Sequence, residues 1–363
     1  METMLPEGKK LISPTDKMSY MGRIDFDDPN APVFIWAGSN VRMRFRGTSI
    51  GALIFNRRFF NKMSMGYVID GKVCRADFGE DSEWEKEYFI PLADGLDDGE
   101  HEIVLFKRQD ASHYFKFLGF VTDGTVLDAP VLSDRKIEVF GDSVSAGAVV
   151  EARDFEGKSD PDGHDGIYDN AWYSYAAITA RNLGAQLNCT AQGGISVFDN
   201  TGWFHSPDFI GMETAYDKLC YYPEGEKGYT PWDFGRYTPN VVLFAVGQND
   251  SHNEADGDPD ITDTSFRTHW KEGYKRIIKD LRTKYPDAYF LLILTVLCHD
   301  PEWDKAVDEI ARELNDARIK HFMFTRTGKA TPGHPRISEQ YEMAEELTAY
   351  LSELGNEIWN ISP

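Results

Sequence analysis

Near residue 135 the hydrophobic pattern of this chain changes its period, and that change limits the possible folds more than any single motif does. From about residue 20 to 125, PVFIWAGSNVRMRFRGTSIGALIFN, MGYVIDGKVCRADF, WEKEYFIPLADGL, GEHEIVLFKRQD and YFKFLGFVTDG alternate apolar with polar residues between Gly, Asp and Asn turn signals. Short alternating runs with no long helical pattern among them predict an antiparallel β-sandwich of the jelly-roll kind. After residue 135, the continuous apolar runs KIEVF, AQLNCTA, PNVVLFAV, AYFLLILTVL and HFMFTRT alternate with the amphipathic segments NAWYSYAAITARNLG, FRTHWKEGYKRIIKDLRTKYP and WDKAVDEIARELNDA, then a last helix from about Ser338 to Leu354. Unbroken apolar strands are those covered by helices on both faces, so this half predicts an α/β/α domain with a five-stranded parallel sheet. The segment SDRKI reads as the boundary, giving domains 1–132 and 133–363. Two domains also suit the length, since 363 residues exceed the roughly 250 to 300 at which a single core stops growing.

Composition removes several classes of partner. A formal net charge of -22 repels phosphate backbones and anionic headgroups, so neither nucleic acid nor a membrane surface is expected as a partner. No run of about 18 apolar residues is present to span a bilayer, and the start, METMLPEGKK, lacks the apolar stretch of a secretory signal. As it stands the chain reads as cytoplasmic, or as secreted if a signal peptide has been removed. Cys74, Cys189, Cys220 and Cys298 are scattered without a C-x-x-C pair, so they read as buried small hydrophobes, and no metal cluster is visible. In the first domain Trp36, Tyr67 and Tyr88 could present rings to sugars, but aromatics at strand spacing are more often core.

Ligands of an open parallel sheet sit at the carboxyl ends of its strands. There the first strand ends in Gly141-Asp142-Ser143, the second runs into Gln192-Gly193-Gly194, and the third into Gly247-Gln248-Asn249-Asp250; the fifth leads to a loop with His334. A serine hydroxyl attacks only with a base to take its proton and donors to hold the resulting oxyanion. Ser143 can be the nucleophile, with its own N–H, the Gly194 N–H and the Asn249 amide as oxyanion donors. Each motif alone is weak, since Ser caps helices and Asn and Asp fill turns. Their conjunction, in order and at successive strand ends, is the signal.

Two histidines compete for the base. His334, in TPGHP, opens the last helix between Pro332 and Pro335; His299, in LLILTVLCHD, follows the fourth strand beside Asp300. His101, His113, His164, His205, His252, His269 and His321 are expected to serve no chemistry. Asp142 and Asp250 are assigned to turn architecture.

With these residues in place the sequence resembles the SGNH (GDSL-type) hydrolases, whose nucleophile, two oxyanion residues and base match Ser143, Gly194, Asn249 and His334. NAWYSYAAITARNLGA, TPWDFGRYTPNVVLFAVGQND and HPRISEQYEMAEELTAYL are similar to the segments of carbohydrate esterase family 2, which places a jelly roll ahead of that domain. The resemblance implies an acetyl esterase acting without cofactor on polysaccharides such as xylan and glucomannan, and it selects His334 over His299. It also implies an Asp two or three positions before the histidine, where this chain has Pro332 and Thr331. A backbone carbonyl orienting a Ser-His dyad is the favoured expectation; an acid from elsewhere, such as Asp300, or a loss of activity are the others.

The long loops from Ala152 to Asn170 and from Phe198 to Trp232 are expected to shape the sugar site, with Trp203, Trp232 and Tyr168 as candidates for stacking on a sugar ring. The expected partner is an acetylated oligo- or polysaccharide, with a homo-oligomer left open. A non-catalytic carbohydrate-binding protein and an O-acetyltransferase using the same acyl-serine are the alternative functions.

Overall fold

The computed structural model describes residues 5–58, 62–77, 86–111, 113–205, 209–221 and 229–360. The chain divides into two units: one takes in the chain through Leu132 together with His164–Ile167, the other Ser133–Gly163 and the chain from Tyr168 on.

In the first unit every strand pairing among the described residues is antiparallel. The jelly-roll expectation takes the form of one ten-stranded sheet curled over a single core. Its frame is longer than the sequence suggests. WEKEYFIPLADGL and GEHEIVLFKRQD, read as separate runs, contribute to one strand, Lys86–Lys107, which pairs along Asn40–Arg58. Register shifts between Gly47 and Ser49 and between Ile50 and Gly51 let this long pair bend instead of ending. The Asp123 carboxylate pins the first of them, accepting from the Thr48 N–H at 3.0 Å and the Ser49 N–H at 3.1 Å. Phe34, stacked on Phe115 with ring centroids 4.8 Å apart, belongs to the core with Met43, Phe45, Ile103 and Phe117. Trp36 is fully buried, and Tyr67 and Tyr88 pack against that core, so these rings are structural.

Among the described residues the second unit is built on a five-stranded parallel sheet, with a small two-stranded antiparallel sheet, Lys218–Cys220 with Thr230–Pro231, beside it in the sequence. The strands of the parallel sheet are β1 (Lys136–Gly141), β2 (Gln186–Ala191), β3 (Val241–Ala245), β4 (Tyr289–Leu292) and β5 (Ile319–His321), in the spatial order β2-β1-β3-β4-β5. The last strand begins earlier than HFMFTRT suggests: of that run only His321 lies within it, although the Phe322 N–H still donates to the Leu292 carbonyl at 3.1 Å. Five helices matter for the site: α1 (Ser143–Ala146), α2 (Tyr175–Asn182), α3 (Thr264–Lys284), α4 (Pro301–Leu314) and α5 (Ile337–Glu353).

From β1 the chain crosses to β2 on one side and from β2 returns past β1 to β3. Right-handed crossovers in opposite directions put their helices on opposite faces of a sheet. Accordingly α2 packs with α5, and α3 packs with α4. The reversal makes the carboxyl ends of β1 and β3 the switch point, where such sheets open a crevice for ligands. All four cysteines are free thiols, and only Cys189 is buried; Cys298 is exposed, against the expectation of four buried small side chains. No helix among the described residues is long and apolar enough to cross a membrane.

Candidate active site

Ser143 is the first residue of α1, directly after β1, and Asp142 caps that helix by accepting from the Val144 N–H at 3.0 Å. The turn therefore holds the serine at the strand's end, 6% exposed at the switch point. Parallel register sets Gly141 level with Ala191 on β2 and with Ala245 on β3, so the loops after all three strands leave the sheet at one height.

Hydrogen bonds then tie these loops together. Gln192 N–H donates to the Gly141 carbonyl at 3.1 Å, the Asn249 side-chain amide to the Ile195 carbonyl at 2.9 Å, and Gln248 Nε2 to Asp142 Oδ2. Asp250 accepts from the Val197 N–H at 3.0 Å and from Trp270 Nε1 at 2.9 Å. Asp142 and Asp250 thus serve the turns, as expected. Burial pushes the Asp142 carboxyl up to about 6 and that of Asp250 up to about 7, against the lowering effect of these donors. Two carboxylates this costly to ionise hold the rim by hydrogen bonding.

Gly194 is required where it stands. It has φ +75°, and a Cβ there would lie 2.9 Å from the backbone carbon of Trp203, whose N–H donates to the Gly194 carbonyl at 2.8 Å. The Gly194 N–H makes no hydrogen bond among the described residues and remains a free donor. Asn249, 8% exposed, spends one amide hydrogen on Ile195 and keeps its second.

His334 reaches this rim from the loop before α5. The Ile337 N–H donates to the Val150 carbonyl at 3.0 Å, and Gln340 Nε2 donates to the Val144 carbonyl at 3.4 Å, which seats the helix start beside the segment that follows Ser143. Burial dominates the carboxyl of Asp142, the residue next to Ser143, with lesser lowering effects from its hydrogen bonds and from His334.

The expectation of a backbone carbonyl orienting this imidazole is corrected. Nδ1 of His334 lies 2.7 Å from Oδ2 of Asp160, in the Ala152–Asn170 loop. That loop is fastened to the histidine loop: Thr331 Oγ1 accepts from the Gly157 N–H at 3.1 Å, and the His334 N–H donates to Asp160 Oδ1 at 3.1 Å. Gly333 makes the approach possible, because at its φ of +102° a Cβ would lie 2.5 Å from Asp160 Oδ1. Asp300, the other acid considered, caps α4 by accepting from the Glu302 N–H at 2.9 Å.

Partial burial works to raise the Asp160 carboxyl. The hydrogen bond and charge of His334 and the Arg336 guanidinium outweigh it and hold Asp160 well below the usual carboxylate range. An ionised Asp160 on Nδ1 selects the tautomer with a proton there, leaving the Nε2 lone pair as a base.

His299, the rival base, is spent. Its Nδ1 lies 2.7 Å from the Leu297 carbonyl and its Nε2 2.9 Å from Asp304 Oδ2, with the side chain 1% exposed. Of the aromatic candidates, Trp203 is 56% exposed and stacks on His252 with ring centroids 3.4 Å apart. Trp232 is corrected: it is 6% exposed, with Arg236 over its ring at 4.7 Å, and packs instead of facing a ligand. Tyr168 is half-buried, its carbonyl accepting from the Glu151 N–H at 3.0 Å. Among the three, Trp203 combines exposure with a hydrogen-bonded link to Gly194.

Sequence comparison matches residues 20–130 to the family model described as carbohydrate esterase 2 N-terminal. A solved structure of a family two carbohydrate esterase from Clostridium thermocellum, in complex with cellohexaose, is 30% identical, covering 94% of this chain and 100% of that one at a TM-score of 0.76. The chain belongs to carbohydrate esterase family 2. Among curated relatives of this family 2 member, the cellulase/esterase CelE of Acetivibrio thermocellus is 33% identical over 346 residues, 91% of this chain. The acetylxylan esterase/glucomannan deacetylase of Cellvibrio japonicus is 28% identical over 263 residues, 70% of this chain. The chain spans 38% of the length of the first relative and 68% of the second.

Proposed function

We propose that this family 2 member removes O-acetyl groups from acetylated polysaccharides or oligosaccharides such as xylan and glucomannan, through an acetyl-serine. The observation that carries the reading is the carboxylate of Asp160 on Nδ1 of His334, just ahead of a helix start that is bonded to the Val144 and Val150 carbonyls of the segment after Ser143. It removes the main argument for a non-catalytic sugar binder, the lack of an orienting acid.

In the proposed mechanism Nε2 of His334 takes the proton of Ser143 Oγ as that oxygen attacks the acetyl carbonyl. The N–H groups of Ser143 and Gly194 and the second amide hydrogen of Asn249 hold the oxyanion, while Asp160 stabilises the imidazolium. Collapse of the tetrahedral intermediate expels the sugar oxygen, which takes its proton from His334. Water, deprotonated by His334, then hydrolyses the acetyl-serine and releases acetate. Trp203 supports the substrate class, since an exposed indole fixed beside the oxyanion site offers a flat apolar face to a sugar ring.

Ser143→Ala tests the reading. Acetate release from acetylated xylan or glucomannan is expected to fall by about three orders of magnitude or more; release at the wild-type rate would reject the assignment. Product analysis with an added sugar acceptor separates hydrolysis from acetyl transfer.

A further inference from the structure

Arg336 is fully buried beside the site, although neither the nucleophile nor the oxyanion donors need it. Its Nη1 donates to Asp160 Oδ1 at 2.7 Å and to the His334 carbonyl at 2.7 Å, while Nη2 donates to the carbonyls of Lys158 at 3.4 Å and Ser159 at 3.3 Å. One guanidinium therefore spans both loops that supply the base and its acid. Its own backbone is fixed in turn, since the Arg336 N–H donates to Glu339 Oε2 at 3.0 Å, and Glu339 Oε1 accepts from the Thr331 N–H at 2.8 Å.

The division of labour on Asp160 is specific. Oδ1 takes the Arg336 guanidinium and the His334 N–H, and Oδ2 faces the imidazole. With one oxygen held by two donors the carboxylate cannot rotate to offer Nδ1 a different edge. A charge-assisted pair at an oxygen also draws electron density from the carboxylate and lessens its pull on the imidazolium.

We propose that Arg336 is a positioning residue for the base: it joins the Asp160 loop to the His334 loop and fixes Oδ2 of Asp160 on Nδ1 of His334, with its charge partly offsetting that of the acid. The proposal rests on the reading of Ser143, His334 and Asp160 given above. It makes Asp160 and Arg336 a functional pair with opposite effects on the base. The charged groups placed against this assembly are Asp142 from the β1–α1 turn, Asp160 from its loop, and Glu339 from α5, with Arg326 bonded to Glu339.

The test is the pH profile of kcat/KM on a small acetyl ester and on acetylated xylan, for Arg336→Met, Arg336→Lys, Asp160→Asn and the wild type. Removing the guanidinium leaves Asp160 uncompensated, so Arg336→Met is expected to move the acid limb up by about 1 pH unit. The same variant should lower kcat roughly 10- to 100-fold with little change in KM, as expected of a base held off line. Asp160→Asn should move the limb down. Arg336→Lys keeps the charge without the planar pair of donors, so the limb should stay near wild type while kcat falls several-fold. Lower activity in Arg336→Met with an unmoved limb would make Arg336 merely structural and overturn the proposal. If Arg336→Met fails to fold by circular dichroism, Arg336→Lys decides: wild-type kcat, or a displaced limb, overturns it. Full activity in Ser143→Ala would instead reject the underlying mechanism, so the two failures are distinguishable.

Discussion

Oδ2 of Asp160 lies 2.7 Å from Nδ1 of His334, across a sequence separation of 174 residues. In the proposed mechanism the acid of the Ser-His pair comes from the loop after β1, not from the residues just before the histidine. Replacing Asp160 by Asn keeps the shape but removes the charge that stabilises the imidazolium. Asp160→Asn is expected to lower kcat on acetylated xylan roughly 10²- to 10⁴-fold, with Tm within a few degrees of wild type. Its counterpart is His299→Ala, which should leave kcat within about twofold but cost about 1–3 kcal/mol by stripping Asp304 Oδ2 of its partner, with Oδ1 still held by Thr327. Steady-state kinetics and thermal melts on both variants check this; a dead His299→Ala beside an active Asp160→Asn would exchange the two histidines.

Trp203 and Trp232 should separate cleanly. Trp203→Ala removes an exposed ring, so KM on an acetylated oligosaccharide is expected to rise about 3- to 10-fold with no change on a small acetyl ester. Trp232→Ala opens a cavity instead and should cost about 3 kcal/mol of stability. Kinetics on the two substrates, with melting curves, would show equal behaviour if Trp203 were only packing.

Asp250 gives a prediction about pH and stability. Burial pushes its carboxyl up to about 7, against Trp270 and Val197 as donors, whereas an Asp of the unfolded chain titrates near ~3.9. Between those values the folded form holds a proton that the unfolded form has lost. The stability from this group is therefore full below the window and disappears as pH rises through it. Asp250→Asn cannot titrate, so its Tm should gain on wild type steadily from about pH 4 to about pH 8. A difference that stays flat across that range would mean that Asp250 is charged throughout.

The legible part of the molecule was whatever local pattern encodes. Five apolar runs gave the parallel sheet, and Gly-Asp-Ser, Gly-Gly and Gly-Gln-Asn-Asp at strand ends gave the loops that converge. Asp160 was not legible, because it is one of several acids in a loop with no periodicity, and its partner is brought to it only by tertiary contacts. The single hint was the length of that loop. Trp232 was misplaced for the complementary reason: composition tells that a loop is rich in aromatics, but not which ring Arg236 will cover. The long strand Lys86–Lys107 reads as two runs in the sequence because Asp and Gly mark a bend as readily as a turn.

The most direct measurement is the site of covalent labelling by a serine-reactive organophosphonate, mapped by peptide mass spectrometry. The account predicts a single adduct on Ser143, formed more slowly in Asp160→Asn and slowest in His334→Ala. An adduct on another residue, or none while acetate is still released, would contradict it.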